Sequence, residues 1–397
     1  MIMAPYESQV LTTPFHPRTS AYCRTNHWAN WSGYTTVQVY TDVQLEYFAA
    51  RNSAALFDLS PMTKYDITGP SAEAFLNRLL TRDIRRLGVN RVAYVAWCND
   101  DGMLIDDGTV FRFANNRFRL CCQERHLPWL LDSAFGFDVD ITEVTESIAA
   151  LALQGPTSCA VLKSAGFAGI ENLRPFDLAE YELHGASIHI SRTGFTGDLG
   201  YELWFHDRHA LDVWDALMEA GRLYGITPMG SQALEMTRIE AGFIQANVDF
   251  LAGGRATRPG GNLRSPLELG LDWLVNFDKG HFNGRRALLA EHQNRTSRFK
   301  LVGLDVDGNK PANDALLYDH RDREIGVVTS AMWSPTCKKS IAIASIKHHV
   351  DADHAGIWAD IYVQRELKWR RIKATCRVVE RPFFNPPRRR ITPAGAH

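Results

Sequence analysis

Hydrophobic positions recur along this chain with two periods, and their order predicts an α+β protein. Apolar residues at helical spacing predict helices over 43–54, 71–80, 124–135, 157–165, 210–223 and 232–241, with Ser71 placed to cap the second. Runs of β-branched and aromatic residues predict strands over 65–67, 118–122, 139–144, 149–154, 188–192 and 201–205. A strand, a Gly-Pro break and a helix occur twice, at Gly69-Pro70 and at Gly155-Pro156, which points to two related α+β units. The segment 249–265 is rich in breakers and reads as a linker or mobile loop. Beyond it strands prevail, over 301–306, 324–330, 340–346, 357–364 and 371–379, and this spacing predicts a β-rich, barrel-like C-terminal domain.

One stretch carries more polar character than its elements need. Residues 98–113 read as a hairpin, with Asn99 to Gly102 as a tight turn between two apolar strands. The second strand contains a further acidic pair, Asp106-Asp107. Neighbouring side chains of a strand face opposite sides, so one of the two carboxylates points inward if the strand lies on a core or cavity. A bulge or sheet-edge pair facing water is the alternative.

Composition narrows the class. At 397 residues the chain exceeds the size of a single hydrophobic core, so two or three domains are expected. A formal net charge of -1 offers no general attraction to nucleic acid or to anionic membrane. The run Arg388-Arg389-Arg390 is the one concentrated basic stretch and reads as a solvated end. Seven scattered cysteines without a CxxC pair fit reduced, buried thiols and neither a disulfide framework nor a zinc site. Residues 1–18 do not read as a signal peptide, and no apolar stretch approaches about 20 residues, so a cytoplasmic protein with no membrane span is expected.

Motif chemistry excludes more than it assigns. There is no GxxxxGK[ST] loop and no HExxH, and the glycines of 194–200 lie between two strands, which removes a dinucleotide fingerprint. The lone histidines His27, His126 and His281 read as surface or satisfied core residues rather than metal ligands. The aromatic stretch 20–40, with Tyr22, His27, Trp28, Trp31, Tyr34 and Tyr40, is either core filler or the wall of a ligand pocket.

Several segments, in order, resemble the aminomethyltransferase family, that of the glycine cleavage T-protein. They are Asp58-Leu59-Ser60-Pro61-Met62, Gly102-Met103-Leu104-Ile105-Asp106-Asp107, Leu153-Gln154-Gly155-Pro156, Arg192-Thr193-Gly194-Phe195-Thr196-Gly197-Asp198-Leu199-Gly200-Tyr201-Glu202, Arg238-Ile239-Glu240-Ala241-Gly242 and Thr329-Ser330-Ala331-Met332-Trp333-Ser334-Pro335. The resemblance spans about residues 25–385 and implies a three-domain cloverleaf. Its first domain would be split, 1–62 plus 145–250, around an inserted unit 63–144, followed by a barrel-like domain 251–397. Tetrahydrofolate would sit where the three meet.

The resemblance also implies roles. Asp107 matches the carboxylate placed near the reacting folate nitrogens. Glu202 matches the glutamate that holds the pterin, whose N–H edge suits an acceptor-only partner. Tyr94, Met62 and Gln123 match pocket residues, as does Phe195, and Arg238 matches an arginine that either contacts the ligand or pairs with Glu240 or Glu202. Departures from the T-protein pattern fall on the substrate side. Pro61 and Phe195 stand where histidine and tyrosine are usual, Gln232-Ala233-Leu234-Glu235 replaces GARD, and a longer loop follows Gly242.

These departures point to the demethylase branch of the family, which includes the dimethylsulfoniopropionate demethylase. The activity expected is transfer of a methyl group from a small onium compound or methyl ether to tetrahydrofolate. Trp28, Trp31, Tyr34, Trp97 and Trp333 are candidates to face an onium donor, since aromatic faces attract such cations. A true T-protein, taking an aminomethyl group from a lipoylated carrier protein, is the second reading. A folate-binding iron-sulfur maintenance protein is the third, and the KxCYxGQE motif of those relatives is absent.

Overall fold

The structure, a computed structural model, describes residues 10–252, 262–351 and 356–391. Most of the breaker-rich segment, 253–261, lies outside the described residues, and with it the reading as a linker or mobile loop. The architecture is α+β, with three bodies each built on its own sheet.

A six-stranded sheet runs in the order Leu178–Leu183, Ala186–Ser191, Gly200–His206, Ile148–Gln154, Ala54–Asp58 and Ile226–Pro228. Between Asp58 and Ile148 the chain forms a second sheet of five antiparallel strands, Arg91–Cys98, Leu104–Ala114, Arg117–Cys122, Thr63–Thr68 and Asp140–Glu143. The repeat seen in the sequence has a backbone basis. Gly69 and Gly155 take nearly the same left-handed conformation, φ +121° and +122°, before the helices Ala72–Leu79 and Ser158–Ser164. A Cβ at either would strike a backbone carbonyl, that of Asp138 at 2.8 Å and that of Ser53 at 2.5 Å. The third body is a closed six-stranded barrel, Phe299–Val306, Lys339–Lys347, Glu324–Ser334, Leu316–Tyr318, Trp358–Arg365 and Lys368–Val379.

Local differences from the sequence expectation have simple causes. The stretch 20–40 is not a loop but the end of a helix, His16–Tyr22, and a hairpin, His27–Trp31 with Tyr34–Val39, whose turn uses left-handed Ser32 and Gly33. Ser71 occupies the N-cap position but makes no side-chain cap, since its backbone is already close to helical. The helix Arg285–Asn294 escapes the sequence pattern because Leu288 is its one buried residue.

Alternation decides what lies between the first two sheets. On the five-stranded sheet Val95, Trp97, Val110, Leu120 and Cys122 point into that sheet's own core, while Phe111, Phe113 and Cys121 point the other way. On the six-stranded sheet Leu151, Leu153, Tyr201 and Leu203 face one core, and Phe57, Ala150, Ala152 and Trp204 face the first sheet. The two faces meet through aromatic edges, Phe111 against Trp204 at 5.1 Å and Phe113 against His189 at 4.8 Å. Burying such side chains contributes roughly 1.5–3 kcal/mol each.

The barrel is joined by buried charges. Arg51 donates from Nε to Glu240 Oε2 at 2.8 Å and lies 3.6 Å from Asp198, whose carboxylate takes two further bonds from Arg388 at 2.6 and 2.9 Å. Glu240 also accepts from Tyr47 and from Ser334 of the barrel. Arg388 is therefore a half-buried tie and not the solvated end expected from its run, and Arg389 lies 5.2 Å over the Phe243 ring.

Gly108 shows how close the strands beside the acidic pair are, because a Cβ there would sit 2.1 Å from the carbonyl oxygen of Cys121. Gly108→Ala is expected to destabilise the protein by about 1–3 kcal/mol. A lowered urea midpoint checks this, and an unchanged midpoint would mean that the strands can separate without loss.

Candidate functional site

The acidic pair lies on the strand Leu104–Ala114, and its two side chains separate as alternation requires. Asp106 is fully buried on the core face, where it accepts from His126 Nε2 at 2.9 Å, from the Asp107 amide at 2.9 Å and from the Glu124 amide at 3.3 Å. Asp107 is half-buried on the opposite face. Its carboxylate accepts a 2.6 Å bond from the Tyr94 hydroxyl, and among the described residues it has no other side-chain donor. Tyr94 is the diagonal neighbour on the adjacent strand, since Ala96 pairs with Asp107 and Tyr94 with Thr109.

Glu202 sits on the strand Gly200–His206, two residues from Trp204, and so shares the face turned toward the five-stranded sheet. It is 8% exposed, and its one hydrogen bond among the described residues comes from Thr193 Oγ1 at 2.6 Å. Ser191 Oγ lies 2.7 Å from Thr193 Oγ1. Because the Thr193 proton is given to Glu202, Ser191 is the donor in that second bond. Glu202 is close enough to the Cys121 thiol to act on its titration. Cys121 pairs with Thr109, two positions along the strand from Asp107, so both carboxylates border one layer between the sheets.

Both acids hold protons unusually well. Burial, then the neighbouring charge of Asp106, pushes the Asp107 carboxyl up to about 7, against the opposing bond from Tyr94. Burial pushes Glu202 up to about 7, against the bond from Thr193. Two under-coordinated carboxylates near neutrality can accept from a donor-rich ligand edge, or give or take a proton.

Met62 packs against the same apolar cluster, as does Trp31, which lies 6.2 Å from Phe57. Buried Lys64 grips the loop that carries Met62 by donating to the carbonyls of Ser60 and Met62 at 2.8 and 2.9 Å. Gln123 takes a bond from Ser32 on its carbonyl and reaches the Ala246 carbonyl at 3.4 Å. Phe195 stacks on Phe243 at 5.5 Å with 14° between the rings.

Other expected residues lie elsewhere. Arg238 pairs with neither Glu240 nor Glu202. Its five N–H groups go to Glu235 twice, to Asp249 at 2.7 Å, to the Phe243 carbonyl at 3.0 Å and to Ser330 at 2.8 Å, so none is left for a ligand. Trp97 is fully buried in the core of the five-stranded sheet, edge-on to His126 at 5.6 Å. Trp28 packs on His16 and bonds to Asn26, and Trp333 is 40% exposed on the barrel. Tyr34 is buried close to Glu143, Glu146 and Arg125. The expected aromatic set does not converge on Asp107.

The sequence did not single out Ser191 or Thr193 as support for Glu202, or His126 as support for Asp106. Ser191 and Thr193 carried a faint signal, hydroxyls two apart beside a glycine-rich turn. A cleft of about 340 Å³ is open on the barrel, lined by Asp319, His320, Arg323, Lys347 and His349, apart from both carboxylates. Its cations are already engaged, Arg323 with Asp319 and Lys347 with the Glu324 carbonyl. Among the described residues no helix is long and apolar enough to cross a membrane, and no group of three or more His, Cys, Asp or Glu is placed to hold a metal ion.

Comparisons with known proteins agree with this architecture. The family described as the GCVT N-terminal domain matches residues 16–279, and the glycine cleavage T-protein C-terminal barrel domain matches residues 300–385. An aminomethyltransferase of Caldanaerobacter subterraneus is 34% identical over 339 residues, covering 84% of this chain and 87% of that protein. A trimethylamine-oxide aldolase of Ruegeria pomeroyi is 37% identical over 321 residues, 77% of this chain but 39% of that longer protein. The crystal structure of the glycine cleavage system aminomethyltransferase T from Bartonella henselae superposes with a TM-score of 0.83 at 25% identity, over 97% of this chain and all of that one.

The raised carboxyls predict a pH dependence. Each acid binds its proton more tightly folded than unfolded, so the native state carries extra protons between about pH 4 and 7 and stability falls as pH rises through that window. Asp107→Asn and Glu202→Gln are therefore expected to raise the melting temperature more at pH 8 than at pH 5. An equal shift at both pH values would place the carboxyls at ordinary acidity.

Proposed function

Because the chain belongs to the glycine cleavage T-protein family, whose members are folate-dependent one-carbon transferases, we propose that it moves a one-carbon unit from an amine nitrogen to tetrahydrofolate. The observation that carries this is the pair of half-satisfied carboxylates, half-buried Asp107 and buried Glu202, on one layer between two sheets. When bound, tetrahydrofolate supplies the nitrogen nucleophile that receives the carbon.

The residues fit that ligand. Glu202 has acceptor capacity beyond its single bond from Thr193, which suits the N–H edge of a pterin, and the Ser191–Thr193 chain fixes its orientation. Asp107, fixed by Tyr94, is placed to hold or remove a proton near neutrality at the reacting end. Met62 and Trp31 supply apolar walls that keep water from the layer. Arg238 acts at one remove, by joining the helix Ser231–Glu240 to Asp249 and to the barrel through Ser330.

Two donors remain in view. Most of the relatives named above are aminomethyltransferases, and this favours the T-protein reaction, in which the donor arrives on a lipoylated carrier protein. The similarity to a trimethylamine-oxide aldolase, with Pro61, Phe195 and the Gln232-Ala233-Leu234-Glu235 run, favours a small amine instead. Both carry the carbon on nitrogen. A sulfonium or methyl ether donor has less support, since the aromatics expected to cradle an onium group are dispersed.

Purified protein supplied with tetrahydrofolate and the aminomethyl-loaded carrier is expected to form methylenetetrahydrofolate and ammonia. Formation of 5-methyltetrahydrofolate from methylated small molecules, with none from the carrier, would replace this reading with methyl transfer. Asp107→Ala should lower kcat by about 10²–10⁴-fold. Glu202→Ala should instead raise KM for tetrahydrofolate about ten-fold or more and leave kcat at saturation within a few-fold. Equal losses of kcat in the two variants would undo that division of roles.

A further inference from the structure

Asp107 has a second carboxylate directly behind it, and none of the roles above uses it. Asp106 lies opposite Trp97 on the adjacent strand and points into the core of the five-stranded sheet, where it is fully buried. An ionised carboxylate in such a place is costly unless donors surround it. Asp106 has three: the amides of Asp107 at 2.9 Å and Glu124 at 3.3 Å, and His126 Nε2 at 2.9 Å. The two amides come with the backbone, whereas the imidazole depends on which residue stands at 126. Since an ionised carboxylate only accepts, Nε2 carries the hydrogen of that bond.

The imidazole is fixed from several sides. His126 is 8% exposed, and Trp97 stands edge-on to it at 5.6 Å with 87° between the rings. The His126 amide donates to the buried Tyr65 hydroxyl at 2.7 Å, and its carbonyl accepts from the Leu130 amide of the helix Leu127–Ser133 at 3.0 Å. The flanking side chains engage other groups, Arg125 with Glu143 at 3.6 Å and Glu124 with Asn247 at 2.9 Å. Among the described residues His126 is thus the one side-chain donor to Asp106.

Charge links this pair to the reacting end of the site. Asp107 is pushed up by burial, then by the charge of Asp106 and less by that of Asp249, against the bond from Tyr94. Asp249 is itself paired with Arg238 at 2.7 Å. The Cys122 thiol also faces the two aspartates, and burial pushes it up, so it stays neutral. The charge of Asp106 is therefore the adjustable part of the affinity of Asp107 for a proton, and His126 sets how well Asp106 keeps that charge.

We propose that His126 is a positioning residue of the one-carbon transfer: by holding Asp106 ionised behind the strand, it keeps Asp107 able to take a proton at the reacting end. This rests on the reading of Asp107 given above. No proton passes along the His126–Asp106 dyad, because the hydrogen of Nε2 stays on the ring and Asp106 stays an acceptor. The two carboxylates lie on opposite faces of one strand, so the dyad acts through charge and through the Asp107 amide that Asp106 holds.

The test titrates Asp107 by NMR in the full-length protein labelled with carbon-13 at the aspartate carboxyls, its signal identified by its absence from Asp107→Asn. The wild-type midpoint is expected at about 7. His126→Leu, which removes the donor, and Asp106→Asn, which removes the charge, should each lower that midpoint by about one pH unit. His126→Gln, whose amide nitrogen reaches the same place, should keep it close to the wild-type value. Adding His126→Leu to Asp106→Asn should move the midpoint no further, and this holds even where the single variant His126→Leu folds poorly around an unpaired Asp106. In turnover with tetrahydrofolate and the aminomethyl-loaded carrier, the acidic limb of kcat/KM should move down with the midpoint and the plateau should fall about three-fold. A midpoint in His126→Leu equal to that of the wild type, or a further shift when it is added to Asp106→Asn, overturns the proposal while the folate reading stands. Absence of wild-type turnover with the carrier and with methylated small molecules overturns the one-carbon reading, and the role of His126 in it, whatever the midpoints.

Discussion

Two sheets pressed face to face, one antiparallel and one with a parallel edge strand, impose the condition from which the site follows, namely that side chains pointing into the shared layer lose much of their water. Aromatic residues meet that condition at one end, where Phe111 and Trp204 pack edge to face. At the other end the same strand positions carry Asp107 and Glu202. A carboxylate in such a place is stable only if it is neutral or well bonded, and each of these accepts one side-chain bond, from Tyr94 and from Thr193. The result is two acids that titrate near neutrality with lone pairs to spare, which is a chemical capability and not a packing solution.

The barrel is tied to the first body where its hydroxyls reach charged networks, Ser334 at Glu240 and Ser330 at Asp249. Buried Arg51, Glu240 and Asp198 form one network with half-buried Arg388, and buried Arg238 and Asp249 another with the partly exposed Glu235. Buried ion pairs contribute little net stability against apolar replacements, but an unpaired member is strongly destabilising, so networks of this kind enforce one arrangement of the bodies. Arg238 illustrates the difference between position in a motif and function. It stands in a family motif, yet its fork is spent on protein acceptors, among them the Phe243 carbonyl and Asp249.

Long periodic elements were legible in the chain. Helices near 43–54, 157–165, 210–223 and 232–241 occur within a few residues of their patterns, and the C-terminal strands close into the expected barrel. The hairpin His27–Trp31 with Tyr34–Val39 was not, because its dense aromatics read as core filler or as a pocket wall and show no strand alternation, and the helix Arg285–Asn294 buries one leucine and so has almost no apolar stripe. Candidate residues divided in the same way. Asp107 and Glu202 were accessible to alternation and motif together, whereas Trp97, Trp28 and Trp333 were chosen for ring chemistry, which says nothing about which face a ring occupies.

By itself the sequence determined the period of each strand, and hence that Asp106 and Asp107 must part company, one to each face. It also determined the paired Gly-Pro breaks, whose glycines take a conformation that L-residues avoid. Which face of each sheet would be covered, and by what, was decided only when the sheets, the 243–250 segment and the barrel came together. Contacts such as Tyr94 with Asp107, Thr193 with Glu202 and His126 with Asp106 join residues on different elements. Periodicity is a local property of the chain, while burial, which sets the acidity of Asp107 and Glu202, is a property of the assembled molecule.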